Sequence, residues 1–434
     1  MSTRAAHLAR TGLAALSFFT LLASDFWRYS IGWWGYLGLC AILTCTYLVM
    51  VIRRRREMSW KRLPAMLGLF LLYCLLSTAW SNYPGTTLLA LAAQWATALV
   101  ALGIVFTLSW PQIVRSLANA LRWILALSIA FELWVAIFVQ HAVLPLWVDY
   151  GSAKIPAAFY WSRGLLFEGG PIQGIVGNRN LLGFIALIAL IVFSLQLVDR
   201  TVWRGAGIAW LALALIALAL TRSSTVSVAL VVVVLGTLFA LWARRLPPSR
   251  RLPLYWVGFG VLVIGGAGLW WGWQRIADAL GKSADFTGRV DIWNSVIHLA
   301  QERAAAGWGW ISYWAPWVEP YRDLAVRKGV TYLQAHNAWL DVWMQLGVIG
   351  VVIFALLVGT TLWRSWFIAI DRPRWNLDAR RRFHAIAMIP LLIMLALIAQ
   401  SFAESRMLIE GGWLLLVSFA VVTKFTEKVH EAPQ

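Results

Sequence analysis

Charge is scarce in this sequence. Asp, Glu, Lys and Arg make up 13% of its 434 residues, whereas hydrophobic residues reach 61%. Soluble domains carry about 45–50% apolar and about 25% charged residues, so a water-soluble globule, a disordered chain and a fibrous protein are all excluded. Cysteine is scarcer still: Cys40, Cys45 and Cys74 all lie in apolar runs, which excludes a disulfide scaffold and leaves the redox compartment unread. Internal repeats are missing. So are a Cys/His cluster of zinc spacing, a His-Glu-x-x-His pair and a glycine-rich phosphate loop followed by Lys and Ser/Thr. ATP use is therefore not indicated and no cofactor is expected. A metal is not called for either, although Asp278, Asp285, Asp291 and Glu404 are carboxylates that can converge in three dimensions.

The abundant features are apolar runs long enough for a bilayer. A spanning helix needs about 20 mainly apolar residues, and runs of that kind fall near 11–25, 31–52, 63–80, 86–108, 117–140, 180–198, 205–220, 223–243, 253–273, 336–363, 384–402 and 407–423. The expectation is an all-α polytopic membrane protein, a single integral membrane domain over 1–434 with about twelve transmembrane helices. Arg4 and Arg10 before Leu13–Ala23 resemble a signal peptide, but no small-x-small site follows, so this segment is expected to remain as the first helix. The 29 tryptophans suit two membrane–water interfaces; they also suit stacking on sugar rings.

The net charge of +18 would point to nucleic acid in a soluble protein. Here the basic residues alternate between loops instead. Arg53–Arg56, Arg115, Arg122, Arg200, Arg204, Arg244, Arg245, Arg250, Arg251, Arg364 and Arg380–Arg382 fall on one side. The short loops of the other side carry only Arg28, Arg222 and Arg406. By the positive-inside rule both termini are cytoplasmic. Two long segments, 141–179 and 274–335, then face outward. The second has five tryptophans (Trp293, Trp308, Trp310, Trp314, Trp317), nearly balanced charge and an amphipathic stretch from Val290 to Ala305, and is expected to fold as a partly helical cap.

Chemistry is sought on that outer face. His336, in His336-Asn337-Ala338-Trp339, opens a helix directly after the large loop, and an imidazole of pKa about 6.5 can accept a proton near neutrality. The structural alternative is an interfacial histidine bonded to backbone. Arg222 sits in the tight hairpin Leu220-Thr221-Arg222-Ser223-Ser224, where a charge beside hydrocarbon is costly unless it is paired or snorkels to the interface. Arg289 follows Thr287-Gly288, and Arg163 and Arg179 add two further outer cations. Guanidinium groups bind phosphate oxygens through paired donors and keep their charge, so a lipid-linked pyrophosphate is the natural anion at this depth. His336 would then be the base for an attacking hydroxyl.

These motifs together give a resemblance. Gly177-Asn178-Arg179-Asn180, Leu220-Thr221-Arg222-Ser223-Ser224, Thr287-Gly288-Arg289 with Trp293, Gly307-Trp308-Gly309 and His336-Asn337 with Gly347 and Gly350 resemble, in order and spacing, the O-antigen ligase/polymerase superfamily of bacterial envelope glycosyltransferases. The ligase branch fits most closely. One departure is that the family's hydroxyl-rich motif often places its basic residue after the serines, whereas Arg222 precedes Ser223 and Ser224.

The resemblance implies a GT-C-like, metal-independent, inverting transferase in the inner membrane with its active site facing the periplasm. The donor would be an undecaprenyl-pyrophosphate-linked glycan and the acceptor the lipid A-core oligosaccharide. His336 would be the base, Arg222 and Arg289 would bind the pyrophosphate, and Arg179 and Arg163 would add weaker donor contacts. An O-antigen polymerase and a protein O-oligosaccharyltransferase use the same donor; the latter tends to carry an outer C-terminal domain, and this chain stops shortly after its last apolar run. A transporter would need ionisable groups deep in several helices, and mainly Glu132 lies there.

Overall fold

The computed structural model describes residues 3–56, 63–148, 155–279, 283–327, 330–371 and 383–428. Helices dominate because lipid offers no partner for a bare N–H or C=O, so each spanning backbone must bond to itself. In chain order they are α1 (Thr3–Leu22), α2 (Ser24–Arg53), α3 (Ala65–Leu76), α4 (Pro84–Thr107), α5 (Trp110–Trp134), α6 (Arg179–Val198), α7 (Arg204–Thr221) and α8 (Ser224–Arg245). There follow α9 (Leu252–Ala279), α10 (Ser283–Glu302), a short antiparallel ribbon of β1 (Val326–Arg327) and β2 (Val330–Thr331), then α11 (Ala338–Ile370), α12 (Ile389–Ser401) and α13 (Glu410–Lys428).

Each apolar run read from the sequence overlaps one of these helices. Among the described residues, α2, α4, α5 with its π-turn, α6, α7, α8 and α11 are seven helices long and apolar enough to cross a membrane unaided. Four shorter apolar helices, including α3 and α12, accompany them. The protein is a polytopic all-α membrane protein.

The layering follows from which faces are apolar all round. Helix α6 is central: Leu182 to Ala189 is buried without a break, and it packs on α5, α7, α8 and α12. Helices α7 and α8 instead expose Leu215, Ile216, Val228, Val231 and Leu235 on their outer faces, as lipid-facing helices do. The two ends of the bundle bear different arginines. At one end Arg122 donates to Gln196, Arg244 to the Ala369 carbonyl and Arg251 to Asp371. At the other end lie Arg28, Arg222, Arg289 and Arg406, where α1 meets α2, α7 meets α8 and α12 meets α13.

Glu132, the carboxylate read as lying in midspan, has a structural task at this second end. It is buried, and its two oxygens accept from the Ser162 hydroxyl (2.8 Å) and from the backbone N–H groups of Gln173 and Gly174 (2.9 and 2.7 Å). Ser128, one turn earlier, accepts from the Ile175 N–H. The segment leading into α6 is thus pinned to α5 through groups that would otherwise be buried without partners.

The segment 303–337 has its own core, in which Trp314 and Tyr321 are buried with Val296, Leu299, Ile311 and Met344. The Tyr83 and Tyr321 hydroxyls bond to each other. The amphipathic helix before it, α10, runs over Ser283–Glu302, starting earlier and ending three residues sooner than the Val290–Ala305 expected.

Helix α11 breaks at Gly347 (φ 67°), and the break is filled by this segment. Trp308 and Gly309 donate to the carbonyls of Met344 and Gln345, while Val348 and Ile349 donate to those of Ala304 and Ala305. Every backbone group freed by the kink named here gains a main-chain partner, which is what apolar surroundings demand. A Cβ at Gly347 would stand 2.1 Å from the Ala305 carbonyl oxygen, and one at Gly307 would stand 2.4 Å from the Gln345 backbone. Gly347→Ala is therefore expected to destabilise the protein by about 2 kcal/mol or more, from overpacking and a left-handed φ. A thermal melt in detergent reads it, and an unchanged midpoint would contradict this account of the kink.

Candidate active site

Three helix starts build one side of the site, each capped by a residue of a sequence motif. Asn178 accepts from the Asn180 and Leu181 N–H groups at the start of α6, Ser223 from Val226 at α8, and Asn337 from Trp339 and Leu340 at α11. Capping fixes where the neighbouring side chains point. Asn180 reaches across: its Oδ1 accepts from the Ser223 hydroxyl (2.8 Å), which ties α6 to α8.

Glu404 is the centre of the arrangement. It lies in the bend after α12, and its side chain is only 6% exposed. Oε1 accepts from Asn180 Nδ2 (3.0 Å) and Arg289 Nη2 (3.1 Å), and Oε2 accepts from His336 Nδ1 (2.9 Å). Residues from three separate motifs meet at one carboxylate. Burial alone would push its pKa up from 4.5, but the charges and bonds of His336, Arg289 and Arg406 outweigh this and hold it at about 2. An ionised carboxylate only accepts, so the proton of this contact belongs to His336 Nδ1; in the neutral ring the lone pair is then on Nε2.

The turn bearing His336 is held on several sides. Trp293, one helical turn beyond Arg289 on α10, donates to the Ala335 carbonyl (3.0 Å). Buried Asp341 accepts from Ala335 N–H, from Trp314 Nε1 and from the Ser405 hydroxyl. The Tyr332 ring meets the imidazole edge to face at 5.5 Å. His336 itself sits at φ 51° and Arg222 at φ 47°, left-handed conformations that cost a non-glycine residue of order 1–3 kcal/mol and tend to gather at functional sites.

Beside Glu404 lies a second charged group. Arg28 pairs with Asp25 and Glu410, and Arg406 pairs with the same two carboxylates from the other side. Ser24 adds a bond to Glu410. Two guanidinium groups and two carboxylates balance, and they fasten the α1–α2 corner to the start of α13.

The five residues singled out in the sequence are placed unequally. His336 and Arg289 share Glu404 directly. Arg222 ends α7 next to Ser223, with its side chain exposed and Nη2 3.6 Å from where a Cβ of Gly169 would be. Arg179 is half-buried in the first turn of α6. Arg163 is exposed beside the Val143–Ser162 bridge, and neither it nor Arg222 is among the residues bonded to Glu404. Among the described residues no group of three or more His, Cys, Asp or Glu side chains gathers as metal ligands would.

Glu404 stands out in the sequence only as one of four carboxylates, with Asp278, Asp285 and Asp291, able to converge in three dimensions. The available clue was the polar interruption Ser401-Phe402-Ala403-Glu404-Ser405-Arg406 between two apolar runs, where an acid needs a partner.

A histidine, arginines and a buried carboxylate gathered at the ends of several helices define a polytopic membrane protein with a polar site at one face. Residues 207–355 match the family model described as O-antigen ligase. The matched stretch contains Arg222, Arg289 and His336, whereas Asn180 and Glu404 lie on either side of it. No curated protein matches the chain.

Proposed function

We propose that the protein is an O-antigen ligase: an inverting transferase that moves a polysaccharide from undecaprenyl pyrophosphate to a hydroxyl of the lipid A-core oligosaccharide, at the periplasmic face of the inner membrane. The observation that carries this reading is the meeting of His336 and Arg289 at Glu404, in a chain whose residues 207–355 match the O-antigen ligase model. With Nδ1 engaged, Nε2 of His336 takes the proton of the acceptor hydroxyl. The oxygen attacks the anomeric carbon from the face opposite the pyrophosphate, the C–O bond to phosphate breaks, and the leaving group departs with the electron pair. Arg222 and Arg289 neutralise its growing charge, with Arg179 and Arg163 adding weaker contacts. The segment 274–335 covers this site as a cap, and 141–179 borders it. The energy of transfer comes from the pyrophosphate linkage, so neither ATP nor a metal is required.

The test is a reconstituted reaction in proteoliposomes. The lipid-linked glycan is the donor, with lipid A-core and a second lipid-linked glycan as competing acceptors. Transfer to lipid A-core supports the ligase. Extension of the second glycan instead would make the protein a polymerase acting on the same donor. Transfer is expected to survive millimolar EDTA, and loss restored by a divalent ion would overturn the metal-independent scheme. Labelling of cysteines introduced at positions 222, 289 and 336 should find all three accessible from the periplasm. A split between the two sides would end the proposal.

A further inference from the structure

Glu404 has more partners than a residue serving histidine alone would need. One oxygen is held by His336. The other is shared by a neutral donor, Asn180, which is itself fixed by Ser223, and by a cation, Arg289, whose guanidinium is also a candidate ligand of the pyrophosphate. The Arg289 and His336 side chains are 18% and 17% exposed, so both retain a path to substrate, while Glu404 is closed off.

We propose that Glu404 is a positioning residue shared between the donor-binding arginine and the base, so that arrival of the pyrophosphate draws Arg289 off the carboxylate and leaves His336 as the one ionisable group bonded directly to it. This rests on the transferase reading above. A pyrophosphate offers a guanidinium more charge and more acceptor oxygens than one carboxylate oxygen does, and it permits bidentate geometry. Glu404 is not left bare when Arg289 departs. Asn180 remains on Oε1 and is itself held by the Ser223 hydroxyl, which keeps the carboxylate in place. With its bonded cationic competitor gone, the carboxylate interacts more strongly with the imidazole, fixing the Nδ1–H tautomer and stabilising the imidazolium that forms as the acceptor is deprotonated. Base competence then follows donor binding, which limits idle activation of water on an enzyme that holds no glycan to transfer.

The experiment separates kcat from donor KM in the reconstituted full-length protein, with undecaprenyl-pyrophosphate-linked glycan as the varied substrate. Glu404→Gln keeps the shape and an acceptor for Nδ1–H but removes the charge. It should lower kcat about 10- to 100-fold, with donor KM equal to or below wild type because Arg289 has lost its competing partner. Glu404→Asp keeps the charge on a shorter stem and should recover part of kcat. A Glu404→Gln kcat within twofold of wild type overturns the proposal. So does a fall in kcat with a several-fold rise in donor KM, the mark of a carboxylate that only holds the site together. Should Glu404→Gln fail to fold, judged by size exclusion in detergent, Glu404→Asp decides through donor KM: a value at or below wild type supports the proposal, and a several-fold rise overturns it. His336→Ala is run alongside: if it remains active the transferase reading itself fails, whereas an inactive His336→Ala beside a wild-type Glu404→Gln removes only the present inference.

Discussion

Replacing His336 with alanine is expected to reduce glycan transfer at least a hundredfold while leaving the protein folded and inserted. The scale is that of a lost general base, about 10²–10⁴, because no other imidazole is joined to the Glu404 group among the described residues. The substitution also empties one oxygen of a buried carboxylate, but Asn180 and Arg289 keep the other one bonded. The fold should therefore survive, as a melt in detergent will check. Wild-type turnover by His336→Ala would remove it as the base. Partial rescue by added imidazole would strengthen the assignment, since a small diffusible base then replaces the missing ring.

The second large effect is expected at the arginines. Arg289→Ala should raise donor KM and lower kcat, with about 10- to 100-fold lost in kcat/KM, the range of a charge-assisted hydrogen bond of about 1.5–3 kcal/mol. Arg222 permits a cleaner separation of function from stability. It ends α7 in the left-handed region with its side chain exposed, a position that glycine fills without strain. Arg222→Gly should therefore stay within about 1 kcal/mol of wild type, relief of the left-handed backbone offsetting glycine's entropy in the unfolded chain. The same variant should lose about tenfold in donor kcat/KM. Unchanged donor use by Arg222→Gly would mean that this cation only closes the hairpin, whichever side of the serines it stands on.

Much of the architecture was open to inspection in the sequence, because bilayer thickness sets a length that apolar runs must meet. The caps were legible too: Asn178, Ser223 and Asn337 are the small polar residues that satisfy the first turn of a helix, and each stands in a motif noted for another reason. What could not be read was pairing across distance. Glu404 lies 68 residues from His336 and 224 from Asn180, and no local period links them. The partners of Glu132 were hidden for the same reason: the loop that bonds to this carboxylate lies 30 to 42 residues away. The kink of α11 was hidden because Gly347 and Gly350 fit an uninterrupted helix about as well as a broken one. Only the approach of residues 304–309 decides between them.

The placement of Glu404 has a bearing on how the protein is made. The histidine emerges from the ribosome nearly seventy residues ahead of the acid that orients it, and the asparagine that steadies that acid has been waiting for more than two hundred. A nascent chain still short of α12 and α13 would carry an unaligned imidazole and an arginine with no carboxylate to rest on. The reactive centre would assemble only when the two helices that flank Glu404 thread into the bundle, so the enzyme would stay inert until they do.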